Sequence, residues 1–145
     1  MSSSYTALIT SLKQAGLRLT PQRMAICRLL AESNQHPTAA MIYEQLQQQY
    51  PSLSPMTVYN TLKALVELGQ VNALGHAGDD TVHYDADTSP HINLACIRCH
   101  QIVDIPCDCL TDLDENISRA SGYQLLGARM MFYGLCPACQ SSTTP

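Results

Sequence analysis

No apolar run in this sequence approaches the roughly 20 residues that a membrane-spanning helix needs. The opening stretch, MSSSYTALITSLKQ, also lacks the charged-then-apolar form of a secretory leader. Both absences lead us to expect a cytoplasmic protein with no membrane partner. Internal repeats and low-complexity segments are missing as well. No phosphate-binding loop and no catalytic base stand out, so an enzyme is not expected. The first 30 residues hold no acidic side chain, although the whole chain carries a net charge of −4.

What is present fits a folded protein. At 145 residues and 46% hydrophobic, the chain can bury a core as one domain or as two small ones. Its charge is uneven. Residues 1–84 balance five basic against five acidic side chains, with Lys13, Arg18, Arg23 and Arg28 leading. Residues 85–145 set Arg98, Arg119 and Arg129 against seven acids, which is −4. Charge therefore permits nucleic-acid binding by the first half only. Seven cysteines in a cytosolic chain point to metal or redox chemistry rather than to a disulfide framework.

The first half reads as helices. Ser4 to Gln14 is one, ending near Gly16. Thr20-Pro21 opens a second, with Ile26, Leu29 and Leu30 at helical spacing. Thr38 opens a third, with Ile42, Leu46 and Tyr50 on one face and Pro51 as its stop. Ser54-Pro55 opens a fourth, with Val58, Leu62, Leu65 and Val66 inward and Gly69 as its end. Residues 70–84 read as a β-hairpin. Helices followed by a hairpin outline a winged helix. Opposite its core stripe, the fourth helix shows Met56, Tyr59, Asn60 and Lys63. Such side chains can meet phosphates and base edges, or can form an ordinary solvated face. The second half reads as a small α+β unit: strands around Ile92–Cys96 and Ile102–Ile105, a helix from Leu110 to Ala120, and a strand from Gln124 to Leu135. Its core is thin, and an open sheet invites dimerisation.

Cys96-x2-Cys99 recurs as Cys136-x2-Cys139. Two such knuckles can supply four thiolates to a tetrahedral structural Zn2+. The first lies between two strands and replaces a hairpin turn, so zinc would staple the last strand to the first hairpin. A second donor set remains: His36, Asp85, His91, Asn93, His100 and Asp104. In a hairpin turned at the knuckle, His91 and Asp104 are expected opposite one another. Histidine with carboxylate suits zinc, iron or manganese, held more loosely than at four thiolates.

These pieces together resemble the ferric uptake regulator (Fur) family of metal-dependent repressors. They are LRLTPQR (17–23), HPTA (36–39), TVYNTL (57–62), HYD (83–85), the first CxxC with QIVDI (101–105), and CPAC (136–139). The resemblance covers nearly the whole chain. It implies a winged-helix DNA-binding domain over 1–84, a hinge at 85–90, an α+β dimerisation and metal-binding domain over 91–140, and a disordered tail at 141–145. It also implies a homodimer gripping a palindromic, A/T-rich operator in double-stranded DNA. DNA contacts are expected from Arg18, Thr20, Arg23, Tyr59, Asn60 and Lys63. The regulatory metal set is expected to be His36, Asp85, His91, Asn93 and Asp104, holding Fe2+ or Mn2+.

Asp104, where iron sensors have Glu, and Asn60, where they have Arg, are similar to the peroxide-sensing, PerR-like branch. There Fe(II) and hydrogen peroxide oxidise a ligand histidine, and His36 and His91 match those positions. The alternative is an iron- or zinc-responsive repressor without histidine oxidation. Three departures stand out. Asn93 replaces a usual His, leaving the fifth ligand open between Asn93 and a group such as His83 or His100. His100 occupies a usual Gly position. Cys107-Asp108-Cys109 suits a redox pair, a thiolate site or free thiols.

Overall fold

The computed structural model describes residues 3–89, 91–106, 110–125, 128 and 130–141. Cys107 and Cys109, and with them the question of a redox pair, lie outside the described residues, as do Arg129 and residues 142–145. The chain divides into two compact units. One comprises residues 1–76 and 80–88, the other 77–79 and 89–145. Among the described residues, no helix is long and apolar enough to cross a membrane.

The first unit holds α1 (Ser3–Gln14), α2 (Pro21–Glu32), α3 (Ala39–Gln47) and α4 (Pro55–Glu67), then β1 (Asn72–Leu74) and β2 (His83–Asp85) as an antiparallel pair. This is the winged-helix outline. Three helix starts follow from local chemistry. The hydroxyls of Thr20, Thr38 and Ser54 accept from the backbone N–H three residues on, and Pro follows Thr20 and Ser54 at the first helical position. Gly69, at φ +73, ends α4, with its N–H bonded to the Val66 carbonyl and the Gln70 N–H to that of Leu65. The third helix stops at Gln47, before Tyr50 and well before Pro51. Tyr50 is carried by a turn, its N–H on the Leu46 carbonyl, and packs half-buried against the core. Leu8, Leu12, Ile26, Cys27, Ile42, Val58, Leu62 and Leu65 are fully buried at its centre. Val66, expected inward, is only partly buried, and Thr61 takes a place inside, its hydroxyl donating to the Thr57 carbonyl at 2.8 Å.

The second unit has a three-stranded sheet in the order β4 (Ile102–Ile105), β3 (Ile92–Cys96), β5 (Met130–Gly134), with α5 (Leu110–Ser121) and a four-residue α6 (Pro137–Gln140). β3 and β4 are antiparallel, while β3 and β5 are parallel. Among the described residues the last strand begins at Met130, and Gln124, Leu125 and Ala128 of the expected span lie outside it. Met130 pairs with Ile92, the first residue of β3, so nothing on β3 lies opposite an earlier residue. The register also corrects the expected facing of His91 and Asp104. Asp104 pairs with Asn93 instead. The knuckle turn takes in His100, at φ +66, and closes with the Cys96 N–H on the Gln101 carbonyl, which shifts the pairing.

Candidate metal centres

The first centre is sulfur. The Sγ atoms of Cys96, Cys99, Cys136 and Cys139 lie within 4.8 Å of one another. Cys99 and Cys136 are 3.9 Å apart, longer than a disulfide. Four thiolates around a zinc at Zn–S of about 2.3 Å stand about 3.8 Å apart, so the residues fit that ion. β3 delivers Cys96 at its end, and Cys136 N-caps α6, which brings round Cys139. Arg98 clamps the two knuckles by donating from Nη1 to the Cys139 carbonyl at 2.9 Å. The electrostatics favour a cation. The backbone N–H of Cys136, 3.4 Å from Cys96 Sγ, and then that of Cys99 pull the Cys96 thiol down to about 5. Cys139 is pushed up to about 12, first by its contact with Cys136 and then by burial. Without a cation, the cluster shares its negative charge badly.

The other donors are divided between the two units. In the first unit, His36 Nε2 lies 3.3 Å from Asp85 Oδ2, both side chains buried. His36 has φ +53, a conformation that side-chain-bearing residues seldom adopt. The segment is fixed by its neighbours: His83 Nδ1 meets the His36 carbonyl at 2.8 Å, and the Tyr84 N–H donates to the Pro37 carbonyl. Asp85 turns its other oxygen to the Asp87 N–H at 2.9 Å. In the second unit, His91 Nε2 lies 3.4 Å from Asp104 Oδ1 and 3.2 Å from Asn93 Oδ1. His91 reaches Asp104 diagonally, from just before β3.

Cys27, the remaining described cysteine, is buried in the helical core, where burial pushes its thiol up to about 11. It is an inert core residue, which no motif in the sequence distinguishes.

The sequence residues for DNA also have defined places. Tyr59, Asn60 and Lys63 are exposed on α4, and Met56 stands beside them. Arg23 donates from Nη1 to the Arg18 carbonyl at 2.6 Å, tying the turn before α2, and the Thr20 hydroxyl caps that helix.

The model of the ferric uptake regulator family matches residues 14–133. The chain belongs to this family. It is 38% identical over 132 residues to the peroxide-responsive repressor PerR of Staphylococcus aureus, spanning 91% of this chain and 88% of that protein. Among solved structures it is similar to PerR of Streptococcus pyogenes, a peroxide sensor and gene regulator: 34% identity, TM-score 0.55, 96% of this chain and 95% of that one. It is also similar in fold to the Helicobacter pylori Fur protein, at 22% identity and TM-score 0.78, over 98% of this chain and 95% of that one.

As a Fur-family chain it departs from the pattern at Asn93 and His100. The second departure has a local explanation. His100 sits in the left-handed region that glycine favours, and its ring Nδ1 holds the Ala77 carbonyl at 2.8 Å. His83 likewise has its Nδ1 against the His36 carbonyl. Both rings thus grip backbone carbonyls. Sequence reasoning missed these supporting roles, and missed Ser89 and Met130, whose carbonyls hold His91 and Asn93. No sequence signal could have found them, because main-chain oxygens have no residue type.

Proposed function

We propose that this protein is a metal-dependent transcriptional repressor that binds double-stranded DNA as a homodimer and releases it when peroxide oxidises a histidine of its regulatory site. The regulatory site in this reading is His36, Asp85, His91, Asn93 and Asp104. Cys96, Cys99, Cys136 and Cys139 hold a structural zinc. α4 presents Tyr59, Asn60 and Lys63 to a palindromic, A/T-rich operator, and Arg18, Thr20 and Arg23 add contacts at α2.

One observation carries the peroxide reading. The two histidines at the family's oxidised positions, His36 and His91, are both buried, and each ring faces a carboxylate oxygen, at 3.3 and 3.4 Å. Membership of the family and the similarity to PerR proteins support it. Bound Fe(II) supplies one-electron chemistry with hydrogen peroxide. The chain supplies the ring that is consumed. In net terms one peroxide oxygen enters an imidazole C–H bond, the other leaves as water, and the ring loses two electrons. The oxidised ring keeps its nitrogens but is a poor ligand, so the metal loses one of its nitrogen donors.

The test is to load the zinc-bound protein with Fe(II), add a slight excess of hydrogen peroxide, and map oxygen gain by peptide mass spectrometry, with Mn(II)-loaded protein as control. A one-oxygen gain on His36 or His91 with iron only, together with loss of operator binding, is expected. Unchanged histidines with iron bound would leave an iron- or zinc-responsive repressor instead.

A further inference from the structure

Asn93 stands where the family pattern has a second histidine, and its surroundings fix its orientation. It is 3% exposed. Its Nδ2 donates to the Met130 carbonyl on β5 at 3.4 Å, so Oδ1 turns the other way, to 3.2 Å from His91 Nε2. Reversed, the amide would set its oxygen against that carbonyl, acceptor against acceptor. The His91 ring is fixed from its far side, with Nδ1 2.7 Å from the Ser89 carbonyl. A carbonyl only accepts, so Nδ1 carries the proton, and in the neutral ring Nε2 presents a lone pair. Metal-binding histidines characteristically hold their second ring nitrogen on a carbonyl in this way. The Nε2 lone pair faces Asn93 Oδ1 and, at 3.4 Å, Asp104 Oδ1. Three electron-rich atoms converge, and a cation among them is what such a set stabilises.

We propose that Asn93 is a ligand through Oδ1 and that it tilts the regulatory site toward Mn2+ and away from Zn2+. This rests on reading His36, Asp85, His91 and Asp104 as the regulatory set. The physical ground is donor chemistry. A carboxamide oxygen is a hard, neutral donor of the kind manganese accepts readily. The imidazole it replaces is a donor that zinc, and to a lesser degree iron, holds far better. Exchanging one nitrogen for one oxygen weakens every metal, zinc most and manganese least.

The test uses the full-length protein with its thiolate site already filled with zinc. Dissociation constants for further Mn2+ and Zn2+ are measured by chelator competition in wild type, Asn93→His, Asn93→Ala and Asp104→Ala. Asn93→His should tighten Zn2+ by roughly tenfold or more, the scale at which a metal site's surroundings act, and should move Mn2+ less. Asn93→Ala should loosen Mn2+. An unchanged ratio of the two constants in Asn93→His, or wild-type Mn2+ binding in Asn93→Ala, overturns the proposal. The control separates the two levels. If Asp104→Ala binds as wild type does, the regulatory set itself is wrong. If Asp104→Ala loses the metal while both Asn93 variants behave as wild type, only the role of Asn93 falls. Retained zinc at the thiolate site shows that each variant is folded.

Discussion

At the scale of one residue, Gly78 shows how closely the backbone of the second unit is packed. Its φ is +86, and a Cβ placed there would lie 2.8 Å from the carbonyl oxygen of Ile97, in the middle of the first knuckle. Backbone cannot step aside as a side chain can. Gly78→Ala should therefore destabilise the second unit by at least about 1–3 kcal/mol, the usual scale for a strained left-handed residue. Urea denaturation of the zinc-loaded protein would measure it, and a variant as stable as wild type would show that the contact is slack. Asp79 contributes here too, its Oδ1 accepting from the Ala77 N–H at 3.1 Å. In the sequence Asp79 is only one residue of the stretch 70–84 that reads as a β-hairpin.

At the scale of elements, Thr20 is open to two readings that can be separated. Its hydroxyl accepts from the Arg23 N–H at 3.2 Å and so caps α2. Thr20→Ala should lower stability by about 1 kcal/mol, while Thr20→Ser should restore it. If the hydroxyl also touches DNA, operator affinity will fall in the alanine variant by more than its stability change explains. Fluorescence anisotropy on labelled operator checks this beside thermal melting. The helix starts at Thr20, Thr38 and Ser54 were legible because a cap is made within four residues. The four cysteines were legible because thiolate chemistry fixes both residue type and spacing. The length of β5 and the Asn93–Asp104 pairing were not, since each depends on a distant partner or on the conformation of His100. Nor could the sequence show that Asn93 is turned toward His91, because a main-chain carbonyl on another strand does the turning.

At the scale of the whole molecule, the two units differ in what holds them. The helical unit has a continuous apolar core running from Tyr5 to Tyr84. Among described residues, the second unit buries only Ala77, Ala95, Cys96 and Ile102 as apolar side chains, so its thiolate centre must do much of the work of a core. Stripping zinc with a chelator should abolish amide-exchange protection in β3–β5 and leave α1–α4 protected. Uniform loss would show instead that the units melt together. The pH dependence has a definite sign. Cys139, held up to about 12, keeps its proton at neutral pH in the metal-free protein. Zinc must displace that proton, so zinc affinity should rise with pH, with proton uptake by the buffer measurable by calorimetry in buffers of different ionisation enthalpy.

The pairing of β3 with β5 across the thiolate centre also sets the order of events during synthesis. The helical unit is fully translated long before Cys136 exists, and it can fold while the ribosome is still working. β3 and β4 can form their hairpin as soon as they emerge, but β3 then waits for its parallel neighbour. A nascent chain arrested after β4 but before β5 therefore carries a complete helical head and an unfinished, edge-exposed sheet. Only translation through the second knuckle closes it.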